Sequence, residues 1–139
     1  MDDDTPPWLL HGFPVITEHL EGYVGFVYIV HNLNNNRRYV GKKLLSKAKT
    51  RIVKGKRKRS RVPSDWKNYW GSSAELLADV TLLGKDRFMR EIIHLCKNKA
   101  ELTYLELREQ IDRRVLERDD YYNNWIYVRV RKIHLKLSS

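Results

Sequence analysis

Cysteine is almost missing from this chain of 139 residues, since Cys96 is the single one. No internal disulfide can form, which excludes a disulfide-stapled secreted fold and fits a reducing cytoplasm. Long apolar runs are missing too. None approaches the roughly 20 residues of a membrane span, so a soluble chain with no membrane partner is expected. The first residues, MDDDTPPW, are acidic and broken by proline where an export signal would be basic and then apolar. With seven glycines there is no Gly-rich phosphate-cradling loop, so nucleotide hydrolysis is disfavoured. Five histidines and one cysteine show no zinc-ligand spacing, and His94 and Cys96 read as strand residues.

The most informative absence is local. Between Lys42 and Arg61 there is no acid, while 11 of the 27 Lys and Arg residues fall there. The rest of the chain holds 16 basic and 17 acidic residues, so the whole net charge of +10 sits in that one segment. Such a local density points to a polyanionic partner rather than to general solubility.

The length suits one domain with one core. Residues 1–21 hold five acids, no Lys or Arg, and Pro6, Pro7 and Pro14; they read as an irregular arm packing by Trp8, Leu9, Phe13 and Ile16. Residues 22–128 read as the main domain, with a basic insertion at 42–61, and 129–139 as a basic tail. GYVGFVYIV, HNLNNN and RRYVG form a strand, a turn and a strand. Strand period two puts Val27 and Ile29 on one face and Phe26, Tyr28 and Val30 on the other. With Val40 facing the core, Tyr39 shares a face with Tyr28, subject to a register that a six-residue turn leaves open. The first half of the basic segment suits a short helix and the half around Gly55 an exposed loop or hairpin tip.

SAELLADVTLLG suits a helix capped by Ser72 or Ser73 and stopped by Gly84, with Leu76, Leu77, Val80 and Leu83 as its apolar positions. DRFMREIIHLC reads as a third strand, with a helix as the alternative. From Asn98 to about Asp119 a long helix is expected, with Ala100, Tyr104, Leu107, Ile111 and Val115 as its core-facing stripe and Glu106 at the edge of that stripe. DDYYNN breaks it, and WIYVRVRKIHLKL suggests a last strand or an extended tail.

In this order the motifs resemble the GIY-YIG nuclease family. Phe26, Val27 and Tyr28 stand where the family has GIY, and Tyr39, Val40 and Gly41 where it has YIG. YWGSSAEL, GKDRF, the Glu106 helix and the pair Tyr122–Asn123 follow, so the resemblance runs from Tyr23 to Ile126. It is strongest to the small free-standing phage endonucleases related to intron-homing enzymes. The resemblance implies a compact α/β (α+β) domain with a three-stranded antiparallel sheet flanked by helices. It also implies hydrolysis of phosphodiester bonds in DNA with one divalent cation, Mg²⁺ or Mn²⁺, held by Glu106. A hard ion that keeps its waters is served by one carboxylate, with Glu109 as the fallback.

Tyr28 and Tyr39 would take the attacking water's proton, a role that asks for neighbouring positive charge because a free phenol titrates near 10. Lys42 would hold phosphate or polarise a tyrosine, and Asn123 would position by hydrogen bonding. The family's helical arginine has no clear counterpart; of Arg51, Arg57, Arg59 and Arg61, the last lies nearest the return to GSS and is the choice here, with Tyr69 as a substitute helical partner. Lys43, Lys47, Lys49, Arg51, Lys54, Lys56, Arg57, Lys58 and Arg59 are the expected DNA-backbone contacts. Low sequence specificity is expected unless a second copy or a partner protein adds to it. The competing reading is a catalytically silent nucleic-acid-binding protein on the same fold.

Overall fold

The computed structural model describes residues 5–126 and Lys132. Strand β1 spans Leu9–Leu10, β2 Phe13–Pro14, β3 Gly25–Asn32, β4 Arg38–Leu44, β5 Ser46–Val53, β6 Lys56–Pro63 and β7 Phe88–Cys96. Helix α1 spans Ala74–Leu83 and α2 Lys99–Asp112. The main sheet runs β2-β1-β7-β3-β4, and β5 with β6 forms a separate two-stranded ribbon.

The expected antiparallel trio is present as β7-β3-β4, but the sheet is wider than three strands. The arm supplies the difference: β1 joins β7 in parallel and β2 folds back on β1. Trp8 anchors it, buried edge-on against Phe26 and Tyr28, with its indole N–H donating to the Trp66 carbonyl at 2.7 Å. Phe13 and Ile16, expected to pack, are exposed, and Leu10 and Val15 take their place against the core. The reversal at His11 and Gly12, both with positive φ, sets which side chains turn inward.

Strand β3 is buried on both faces, which is why its sequence reads as a nearly unbroken apolar run. Phe26, Tyr28 and Val30 meet Trp8, Leu76 and Val80 on the α1 side; Val27 and Ile29 meet Val40 and Leu102 on the α2 side. That division follows the expected alternation. Ser73 caps α1 by accepting from the Leu76 N–H, and Gly84 ends it at φ 98°. Leu77, expected on its apolar face, is exposed.

Three expectations need correction. The basic segment contains no helix, because β-ladder pairing from Ser46 to Pro63 turns on Lys54 and Gly55, both at positive φ, as a two-residue hairpin turn requires. Helix α2 stops at Asp112, well short of Asp119. Arg114 is left-handed at φ 54°, its N–H bonds the Ile111 carbonyl and the Val115 N–H bonds the Gln110 carbonyl, the paired bonds of a Schellman cap. The core-facing line of α2 is not the apolar stripe either: Ala100, Tyr104 and Ile111 are exposed, while Leu102, Glu106 and Gln110, four residues apart, face the sheet. The expected strand or tail from Tyr127 onward lies outside the described residues, apart from Lys132.

Candidate active site

Strand β4 is an edge strand, and the notch in it is Gly41. Tyr28 on β3 lies directly across from Gly41, and a Cβ there would sit 2.5 Å from the Tyr28 hydroxyl and 3.0 Å from the Tyr39 ring. Only glycine lets the Tyr28 phenol reach over the edge strand. Gly71, at φ 110°, completes the notch from the other side, where a Cβ would meet the Tyr39 ring at 3.1 Å and the Tyr28 hydroxyl at 3.3 Å. The pairing of β3 with β7 slips by one residue between Val27 and Tyr28, a bulge that re-aims this stretch of strand.

Around the notch opens a cleft of about 510 Å³, lined by Tyr28, Tyr39, Lys42, Tyr69, Glu106 and Asn123 among others. The two tyrosine rings lie 6.2 Å apart, centre to centre. The Tyr39 hydroxyl shares a 2.8 Å hydrogen bond with that of Ser72, which is exposed and lies just before the cap of α1. Glu106 enters from the opposite side of the sheet, its side chain 12% exposed. Lys42 Nζ stands 3.9 Å from a Glu106 oxygen and donates to Thr103 Oγ1 at 3.0 Å.

Burial dominates the electrostatics. It holds the Glu106 carboxyl above the ordinary carboxylate range, with Lys42 pulling the other way. It likewise pushes Tyr28 well above 10 and raises Tyr39, and the charge of Glu106 adds to both shifts. A basic environment that favours phenolate was the expectation. The structure gives the reverse, because both phenols are buried beside Glu106 and, of the basic segment, only Lys42 lines the cleft.

Asn123 lines the cleft, yet its amide is committed to the backbone. Its Oδ1 accepts from the Val40 N–H at 3.1 Å and its Nδ2 donates to the Val40 carbonyl at 2.8 Å. Val40 is fully buried on an edge strand, and Asn123 pairs its outward backbone groups as a neighbouring strand would. The Tyr39–Gly41 segment is held in place by this clamp.

The structure does not bring Arg61 to the cleft. It lies on β6 and donates to Ser46 Oγ and to the Ser46 carbonyl at 2.8 Å. Arg51, Arg57 and Arg59 also lie on the exposed ribbon, with Lys47, Lys49, Lys54, Lys56 and Lys58. Lys43 is engaged differently, 2.6 Å from Asp65 and 4.0 Å above the Tyr69 ring, so it braces the Tyr69 wall of the cleft. Glu109 bonds His94 and Arg113 and does not line the cleft.

Ser72 and Gln110 are cleft residues that the motifs did not single out for chemistry. Gln110 repeats the four-residue spacing from Glu106, a polar periodicity that an apolar stripe does not reveal. Its Nε2 donates to the Val40 carbonyl, while its buried Oε1 has no hydrogen-bond partner among the described residues. No group of three His, Cys, Asp or Glu side chains clusters among the described residues. One carboxylate with a spare amide oxygen one turn along is a hard-oxygen donor set, which fits a Mg²⁺-like ion that keeps most of its waters.

A family model described as "Putative endonuclease segE, GIY-YIG domain" matches residues 8–126. No curated protein and no solved structure matches the chain. The matched span begins at the Trp8 anchor and closes at Ile126, so it takes in both tyrosines, Glu106, the Asn123 clamp and the basic ribbon between them. The chain belongs to the GIY-YIG endonuclease family and is a nuclease that hydrolyses phosphodiester bonds.

Proposed function

We propose that the chain is a divalent-metal-dependent DNA endonuclease whose reaction takes place in the cleft at the Gly41 notch. The observation that carries this is convergence: two phenols from β3 and β4, a lysine from β4 and a buried carboxylate from α2 meet in one cleft although they are up to 78 residues apart. Glu106 would hold Mg²⁺ or Mn²⁺, with the Gln110 amide oxygen beside it. When bound, the ion would offset negative charge developing on the phosphate and the leaving oxygen.

The remaining steps fall to the chain's own groups. Lys42 binds a non-bridging phosphate oxygen. Both phenols are neutral at physiological pH, so neither is a ready-made base. Tyr39 serves as a relay: its oxygen takes the attacking water's proton as its own proton passes to Ser72 and on to solvent. Tyr28, fixed over Gly41, orients the same water by a hydrogen bond. Asn123 acts through Val40 and needs no contact with DNA.

The test is plasmid cleavage by the purified chain. Mg²⁺ should be required, and Glu106→Ala should lower cleavage by about 10³-fold or more, since charge stabilisation of this kind supplies several kcal/mol of barrier. Binding to duplex DNA should be largely spared. Normal turnover by that variant would remove Glu106 from the metal site.

A further inference from the structure

The β5–β6 ribbon is exposed along nearly its whole length and continues directly from the strand that carries Tyr39 and Lys42. Its register sorts the charges by type. Paired residues share a face and successive rungs alternate between faces. The rungs Ala48–Arg61, Thr50–Arg59 and Ile52–Arg57 therefore fall on one face, and Lys47–Val62, Lys49–Ser60, Arg51–Lys58 and Val53–Lys56 on the other. All three arginines of β6 stand in a row on the first face, opposite small or apolar partners. All four lysines of the two strands stand on the second.

We propose that this ribbon enters the major groove of duplex DNA with its arginine face against the base edges, and that it is the sequence-selecting element of the nuclease. The proposal rests on the DNA-nuclease reading above and deepens it. The major groove admits a two-stranded ribbon, and a guanidinium fork matches the O6 and N7 acceptors of guanine. Small and methyl-bearing side chains such as those of Ala48, Thr50 and Ile52 match the thymine methyl on the same groove floor. Ile52 is 72% exposed on this face. Lysine is a compact point charge without the planar fork, and it suits phosphate better than the paired acceptors of guanine. Alternate residues on a strand lie about 6.6 Å apart, close to two base-pair steps of 3.4 Å, so Arg57 and Arg59 would sample alternate base pairs, and Arg61 the next once its fork leaves Ser46.

The experiment measures binding by the full chain without divalent metal, first by selection from random duplexes and then by titration at several salt concentrations. The parent should select a guanine-containing motif. R57K/R59K/R61K keeps the charge and removes the forks; it should hold random duplex within about threefold and lose about tenfold or more on the selected motif. K47A/K49A/K58A should weaken both duplexes alike and lower the salt slope by about 2.7, at roughly 0.9 per phosphate contact. Both variants should melt with the parent, because the substituted residues are exposed; if a triple melts early, R59K alone carries the comparison. Absence of a motif, its survival in the arginine variant, or equal binding of single strands or RNA would each overturn the proposal. Metal-dependent cleavage that persists without a motif would overturn the ribbon's role and leave the nuclease reading standing. Selective binding with no cleavage would do the opposite, supporting the ribbon's role and removing the reaction assigned to the cleft.

Discussion

Single residues decide whether the cleft exists. Gly41→Ala would put a methyl 2.5 Å from the Tyr28 hydroxyl in a place bounded by two packed rings, so the phenol must leave its position. The expected cost is about 1–3 kcal/mol of stability, typical of overpacking, together with loss of cleavage by about 10²-fold, since misplacement near 1 Å suffices for that. Thermal melts and plasmid cleavage read the two effects separately. Glu106 makes a second residue-scale case, with a pH signature. Burial raises its carboxyl above its unfolded value, so the unfolded chain loses that proton first, and ionisation lowers native stability as pH rises. Glu106→Gln should therefore melt higher than the parent at pH 7, with the gap closing as pH falls below the ordinary carboxylate range. A parent that melts higher at pH 7 would mean that Lys42 outweighs burial. The tyrosines, Lys42, Glu106 and Asn123 were legible because residue type and order survive in the sequence. The direction of the tyrosine shifts was not, since it depends on how deeply the fold buries the two phenols.

At the scale of elements, the α2 face and its ending show what periodicity misses. A helix that lines a cleft must carry polar groups on its buried side, so Glu106 and Gln110 occupy places that apolar spacing assigns to Leu or Ile, and the spacing points to Tyr104 and Ile111 instead. The C-terminus escapes notice for a related reason. Its left-handed position holds Arg114, where glycine or asparagine would have signalled a stop. Strands β3, β4 and β7 were legible because β-branched and aromatic runs bounded by turn residues have few other readings. Of the ribbon only the tip at Gly55 was, because charge along strands with no buried face leaves no apolar period. The Arg114 strain is itself testable: a left-handed non-glycine residue costs about 1–2 kcal/mol, and its exposed 3.8 Å ion pair with Glu117 offsets little of that. Arg114→Gly should raise stability by about 1 kcal/mol in urea titration, with cleavage unchanged. A fall in stability would show that the ion pair matters more than the backbone.

Across the whole molecule, a near-neutral body carries one charged appendage, and one cation inside the body joins its parts. Arg90 lies on the same face of β7 as the buried Phe88 and Ile92, and it is itself 1% exposed. Its guanidinium stacks between Trp8 and Trp70, 4.6 and 4.2 Å from their rings. It donates to the carbonyls of Pro6, Lys67 and Tyr69 at 2.7 to 3.0 Å. These contacts tie the arm and the 66–71 loop to the sheet, and that loop supplies Tyr69 and Gly71 to the cleft. Arg90→Leu removes the donor from three carbonyls and the cation from between two indoles. At about 1.5–3 kcal/mol for a charged hydrogen bond and about 2 kcal/mol for a desolvated cation–π contact, a loss of at least about 3 kcal/mol is expected. Arg90→Lys restores the charge but not the planar fork, so it should recover less than half of that in urea titration. Below its lowered melting temperature Arg90→Leu should also cleave more slowly than the parent, because the loop that walls the tyrosines is no longer pinned. Full cleavage in a protein that still melts early would limit Arg90 to holding the arm.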